Sequence, residues 1–226
     1  MEAKDVLKQA PLFKGLDQEA YQSLASTMGS LSLARGAVLF HEGDVGDQLF
    51  VVVDGKVKLG RHGSTGRENL LAVLGPGQMF GELSVFDPGP RSTTATAVTK
   101  CELRVLEHDE LIRWLDGRPE VARGLLSQLA GRLRRANDVV SDLVFSDVPG
   151  RVAKALLDLA SRFGERTDHG LVVHHELTQE ELAQLVGASR ETVNKALADF
   201  AARGWIRLEP RSVTITDLER VERRAR

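Results

Sequence analysis

The apolar positions of the chain follow two different periods, and the change comes near residue 119. Between Gly36 and Gly89, glycines recur every few residues and separate short runs rich in Val, Leu and Phe. Runs of about five to seven such residues, bounded by turn formers, are strands. The pattern predicts them at Ala37–His41, Gln48–Val53, Lys56–His62, Glu68–Leu74 and Thr93–Val98. The breaks between them, Glu42-Gly43-Asp44, Val53-Asp54-Gly55, Gly63-Ser64-Thr65-Gly66 and Gly75-Pro76-Gly77, are turn chemistry. Many short strands at even spacing argue for an antiparallel roll or barrel over alternating βαβ units. A helical segment, roughly Lys4–Met28, precedes the roll.

From about Pro119 to Asp147 the period lengthens. Ala122, Leu126, Leu129, Leu133, Ala136, Val140 and Leu143 are spaced alternately by four and three, the seam of a two-stranded coiled coil. Arg132, Arg134, Arg135, Asp138 and Asp142 lie between them, as on an outer face. A helix packed on its own sheet shows a similar stripe, but unbroken heptads favour a homodimer spine. Pro149 suits the first turn of a following helix, with Asp147 or Val148 near its cap, and marks a hinge. A helix over Arg151–Phe163, a strand at Leu171–Val173, two more helices and a hairpin (Ile206–Leu208, Val213–Thr216) complete the chain. The predicted class is α+β: an antiparallel, jelly-roll-like β-roll over 1–118, a long dimerisation helix over 119–147 and a winged helix-turn-helix over 148–226.

The helix-turn-helix is the sharper signal. Thr178 with Glu181 forms a capping box, Gly187 supplies the turn and Ser189 caps the next helix. In that second helix Val193, Leu197 and Phe200 face inward, Gly204 ends it, and Arg190, Glu191, Asn194, Lys195 and Ala198 face out. Such a face suits the major groove. Arg190 can donate twice to a guanine, and Glu191 can accept from a cytosine amine. Gln179, Ser189 and Thr192 suit phosphate oxygens beside helix N-termini, and Thr178 is a further DNA-binding candidate. The hairpin, with Arg207 and Arg211, would act as a wing. A solvated face of a nucleotide-sensing protein-interaction module fits the same pattern.

Val186-Gly187-Ala188-Ser189-Arg190-Glu191-Thr192-Val193 resembles the recognition unit of the cyclic AMP receptor protein (CRP/FNR) family of bacterial transcription regulators. The likeness extends over nearly the whole chain: roll, long helix, hinge and winged unit occur in the family's order. It implies that Arg190 and Glu191 read bases in a TGTGA-type half-site of a palindromic operator on double-stranded DNA. Lys195 stands where many members have arginine, which keeps the charge and loses the planar fork. The resemblance also implies RNA polymerase as a partner.

A second stretch has its own logic. Gly81 stands beside a short helix start, Glu82 is an acceptor suited to a ribose hydroxyl, and Arg91 with Ser92 can hold a phosphate. Without any family, Glu82 and Arg91 equally fit a surface ion pair. The Gly81-Glu82-Leu83 to Arg91-Ser92 arrangement, however, resembles the phosphate-binding cassette of cyclic-nucleotide-binding rolls. That implies Gly81, Glu82 and Leu83 on the ribose-phosphate side and Arg91 and Ser92 on the cyclic phosphate. Cyclic AMP-responsive relatives present two adjacent polar residues of the long helix to adenine; here the pair is Ala136-Asn137. Asn137 can bond a purine edge and Ala136 cannot. Loss of one such group weakens binding by about 1–3 kcal/mol unless water or Arg135 substitutes. A different effector, or none, is the alternative to cyclic AMP.

Composition narrows the rest. The chain has 226 residues, 42% of them hydrophobic and 27% charged, so a globular protein is expected. Its net charge is −2; from Pro149 onward 13 Lys and Arg face 12 Asp and Glu, so bulk charge does not find nucleic acid. A single cysteine, Cys101, excludes a disulfide framework, a four-cysteine zinc site and a cysteine-ligated iron–sulfur cluster. His41, His62 and His108 stand apart and the adjacent His174-His175 point to opposite faces of a strand, so neither metal nor heme is expected. No catalytic spacing stands out, and the chain is not expected to be an enzyme. No apolar run approaches the ~18 residues of a membrane span, and Met1-Glu2-Ala3-Lys4-Asp5 carries no signal-peptide stretch. A cytoplasmic protein without a membrane partner is expected.

Overall fold

The computed structural model describes residues 3–63, 68–87, 89–116 and 118–226. Ser64, Thr65 and Gly66 of one predicted turn, and Pro88, lie outside them. The N-terminal helical segment is three pieces rather than one: α1 (Ala3–Gln9), a 3₁₀ turn (Pro11–Phe13) and α2 (Gln18–Thr27). Pro11 has no amide to continue α1. Gly15 then turns the chain at φ 83°, and Asp17 caps α2 by accepting from Ala20 N at 2.8 Å.

Strands β1 (Gly29–Leu33), β2 (Val38–Phe40), β3 (Gln48–Asp54), β4 (Val57–His62), β5 (Glu68–Leu74) and β6 (Met79–Phe80) follow. The one-turn helix α3 (Leu83–Phe86), then β7 (Thr94–Ala97) and β8 (Cys101–Glu107), close the roll. They form two four-stranded sheets, ordered β1-β8-β3-β6 and β2-β7-β4-β5. The pairs β1–β8, β3–β8, β3–β6, β2–β7 and β4–β7 are antiparallel. The five predicted strands are present; β1, β6 and β8 are additional. Strand β3 is buried on both faces: Leu49, Val51 and Val53 point to one core and Phe50 and Val52 to the other. The outer core is completed by Leu12, Tyr21 and Leu24, by Leu111 and Trp114 of α4 (His108–Leu115), and by Val121 and Leu125 at the start of α5 (Pro119–Phe145).

Helix α5 thus packs on its own roll through Val121 and Leu125, a stripe beside the predicted seam. Of the seam, Ala122 and Leu129 are half-buried, while Leu126 is 65% exposed, Leu133 64%, Val140 62% and Leu143 52%. The described residues fall into two compact units divided within α5 between Arg135 and Ala136, with 68–71 grouped with the second.

In the second unit α6 (Val148–Phe163) begins at the N-cap Asp147, which accepts from Gly150 N at 2.9 Å; Pro149 sits in its first turn. Strands β9 (Gly164–Thr167) and β10 (Gly170–Val173), helices α7 (Gln179–Val186) and α8 (Arg190–Ala202), strands β11 (Ile206–Glu209) and β12 (Ser212–Ile215), and α9 (Leu218–Arg224) complete it. The sheet is antiparallel, ordered β11-β12-β10-β9. Leu156, Leu159, Leu182, Val193, Leu197, Phe200 and Ile215 are buried in its core.

Candidate functional site

The first site grows from the turn after β6. Gly81 adopts φ 83°, and a methyl group there would come 2.9 Å from both Arg91 Nη1 and the Gln48 carbonyl. Only glycine fits. Glu82, the next residue, is fully buried. Its carboxylate pairs with Arg132 of α5, which also donates to the Met79 carbonyl. One expectation is corrected here, and one alternative is excluded. Arg132 is turned onto the roll and does not belong to an outer face, and Glu82 and Arg91 are not a surface ion pair.

Arg91 is 5% exposed. Its Nη1 donates to the Gly81 carbonyl at 2.8 Å and to Ser84 Oγ at 2.9 Å. The guanidinium carbon lies 4.4 Å from the Phe40 ring centroid and 5.7 Å from that of Phe50, a cation over two aromatic faces. Burial pulls its pKa down, and Asp47, Glu82 and Asp44 oppose that shift. Gly46 packs over it: a methyl there would collide with Arg91 Nε and come 2.6 Å from Ser84 Oγ. Gly46, Phe40 and Arg132 went unnoticed as site residues in the sequence because each reaches the site from a distant segment, whereas Ser84 lies in the same turn, two residues past Glu82.

Two atoms at this site are buried without a hydrogen-bond partner among the described residues, the acceptor Glu82 Oε2 and the donor Arg91 Nε. Buried polar groups are paired in the great majority of cases. An unpaired acceptor and an unpaired donor on neighbouring residues fit a ligand carrying both a hydroxyl and an anionic oxygen. Leu83 and Ser92 are exposed beside them, Leu83 by 51%. Asn137 and Ala136 are exposed on α5 and belong to the second compact unit.

The second site is the helix-turn-helix. Thr178 caps α7 in a complete capping box with Glu181, and Gly187 ends that helix in the left-handed conformation, φ 68°. Ser189 caps α8, accepting from Thr192 N at 3.2 Å. Thr178, Gln179, Ser189, Arg190, Glu191, Thr192 and Lys195 are all exposed. Thr178 Oγ1 donates to Glu181 Oε2 at 3.0 Å, and Ser189 Oγ and Thr192 Oγ1 are 2.8 Å apart, so one hydroxyl of that pair donates to the other. These hydroxyls shape the helix starts. Arg190, Glu191 and Lys195 project from the start of α8 beyond them. The turn between β11 and β12 sets Pro210 before Arg211 at φ 63°, as in a type II turn.

Residues 30–118 match the cyclic nucleotide-binding domain, and residues 150–224 match the Crp-like helix-turn-helix domain. The chain is 54% identical, over 98% of its length and 99% of the relative's, to a CRP-like cAMP-activated global transcriptional regulator of Mycobacterium tuberculosis. The chain belongs to the CRP/FNR family of transcription regulators. It is also 38% identical to the cyclic AMP receptor protein of Thermus thermophilus, over 96% of this chain and 97% of that one. The crystal structure of the Thermus thermophilus catabolite activator protein covers 96% of this chain and 98% of its own at a TM-score of 0.56 and 37% identity. This CRP-family protein is therefore a DNA-binding transcription regulator with a cyclic-nucleotide-binding roll, and not an enzyme. Among the described residues no group of three or more His, Cys, Asp or Glu could hold a metal ion, and no helix is long and apolar enough to cross a membrane.

Proposed function

We propose that the regulator is a cytoplasmic homodimer whose affinity for a palindromic TGTGA-type site is raised by cyclic AMP. The observation that carries the effector reading is the pair of buried orphans, Glu82 Oε2 and Arg91 Nε. A ribose 2′-hydroxyl donates to the first, and a cyclic phosphate oxygen accepts from the second. Gly81, Leu83 and Ser92 line the same ligand, and Asn137 meets its base. The exposed seam positions Leu126, Leu133, Val140 and Leu143 support the homodimer, because a free helix with that apolar stripe in water is unstable against pairing.

Ligand bound at the roll and contacting Asn137 orders α5 toward Asp147. The two winged units are then held with their α8 helices about 34 Å apart, one turn of DNA. Arg190 and Glu191 read the half-site, Lys195 adds charge, and Thr178, Gln179, Ser189 and Thr192 form the phosphate-facing helix starts. The ligand acts only through its preference for that arrangement, and the bound dimer recruits RNA polymerase.

A second reading keeps the DNA function and changes the effector to another nucleotide or to none. It is favoured by Ala136, which offers a base no hydrogen bond. Calorimetric titration with cyclic AMP, against cyclic GMP, separates the two. Saturable binding of about one molecule per subunit, selective for adenine, is expected. No heat and an unchanged melting temperature would overturn cyclic AMP as effector and leave the DNA reading in place.

A further inference from the structure

Arg151, in the first turn of α6, takes no part in either site. Its guanidinium is nevertheless fully directed: Nη1 donates to the Ser146 carbonyl at 2.8 Å, Nε to the Val186 carbonyl at 3.1 Å and Nη2 to the Gly187 carbonyl at 3.3 Å. Ser146 follows the last residue of α5; Val186 is the last residue of α7 and Gly187 its C-cap. Carbonyls at helix C-termini lack intrahelical donors and carry the negative end of the macrodipole. One cation therefore serves two helix ends at once, that of the long helix and that of the first helix of the helix-turn-helix. Three divergent carbonyls need the planar fork of arginine; the point charge of lysine cannot span them.

Other contacts fasten the same segment. Asp142 in α5 pairs with Lys154 of α6 and accepts from Ser146 Oγ at 3.2 Å. Asp147 pairs with Arg224 of α9. A methyl group on Gly187 would stand 3.3 Å from Leu143 Cδ2, so the turn before α8 packs directly on the end of α5.

We propose that Arg151 is a positioning residue that locks the end of the long helix to the turn of the helix-turn-helix. The recognition helix α8 then moves as one body with residues 142–146, and the pivot of the DNA-binding unit lies upstream in α5, not at Pro149. This deepens the proposed function and rests on its premise that order in α5 governs DNA binding.

Hydrogen exchange on the full chain, without DNA or nucleotide, tests the lock by itself. In Arg151→Met the segments 140–147 and 184–190 should exchange about tenfold faster together, equivalent to about 1.4 kcal/mol, with residues 152–160 unchanged. Arg151→Lys should fall between, and it carries the test if Arg151→Met does not fold. A change confined to one segment, or none beyond twofold, would overturn the lock. Operator affinity by fluorescence anisotropy tests the consequence: Arg151→Met should bind a TGTGA palindrome about tenfold more weakly. Unaltered affinity with both segments loosened would overturn the positioning role. Failure of the wild type to bind that palindrome would count against the proposed site alone, and the exchange result would still decide Arg151.

Discussion

Replacing Arg91 by Met tests the ligand site, with stability followed separately. In the unliganded protein the substitution removes two charge-assisted bonds, to Gly81 O and Ser84 Oγ, and the cation over Phe40. These are worth roughly 1.5–3 kcal/mol per bond and about 0.5–2 kcal/mol for the ring contact. It also removes a buried charge with one unpaired donor, Nε, whose desolvation costs about 1–3 kcal/mol or more. Methionine fills part of the space between Phe40 and Phe50 with a polarisable thioether. The losses come to about 3.5–8 kcal/mol and the relief returns about 1–3 kcal/mol or more, so the variant should be destabilised by a few kcal/mol. With ligand present nothing opposes the loss. Truncating one partner of a buried, hydrogen-bonded charge pair costs about 2–5 kcal/mol, so cyclic AMP should bind roughly 30- to 5,000-fold more weakly. Calorimetry gives the affinity and thermal denaturation the stability. A variant that still unfolds cooperatively and binds cyclic AMP within threefold of wild type would remove Arg91 from the ligand site.

Leu133→Glu puts a carboxylate on the seam of both copies, losing about 1.5–3 kcal/mol of apolar burial in each; sedimentation velocity should show monomers where the wild type is dimeric. A persistent dimer would place the interface elsewhere. Arg190→Ala should lower discrimination at one guanine by about 1–3 kcal/mol, read as a flattened position in binding to randomised operators; an unchanged preference would count against it. Asp147 has its pKa lowered by the Arg224 ion pair and the Gly150 amide. A carboxyl so shifted stabilises the fold above its unfolded value near pH 4 and loses that contribution as pH falls through the folded value. Denaturation of Asp147→Asn should therefore show a deficit at pH 7 that shrinks toward pH 3, and a pH-independent deficit would refute the ion pair's role.

The sequence was most legible where the interaction is local. Thr178 and Glu181 stand three residues apart and form the capping box that their spacing predicts; Gly187 and Ser189 likewise sit where the turn needs them. Strands β2–β5 were legible because their apolar runs are bounded by glycine turns. Strand β8 was not, since Cys101–Glu107 interleaves buried and exposed positions with charged residues, and β1 is thinned by Gly29, Ser30 and Ser32. The continuous N-terminal helix failed on Pro11 and Gly15, both visible in the sequence but outweighed by the surrounding helix formers.

The arginines show what periodicity leaves out. A helical wheel states which face is apolar; it says nothing of where a long cationic head lands. Arg132 reaches Glu82 across 50 residues of sequence, and Arg151 reaches the Val186 carbonyl across 35. Each reads as an ordinary polar position, yet each ties its helix to a functional segment, the roll's ligand turn in one case and the helix-turn-helix in the other. Between the two tethers, residues 133–141 of α5 are exposed throughout. That stretch holds Asn137 and the seam residues Leu133, Ala136 and Val140. A ligand base and a second chain are the groups that would cover it. In the proposed function both act on the one part of the long helix that neither arginine holds, so order gained there passes directly to the segment that Arg151 fastens to the recognition helix.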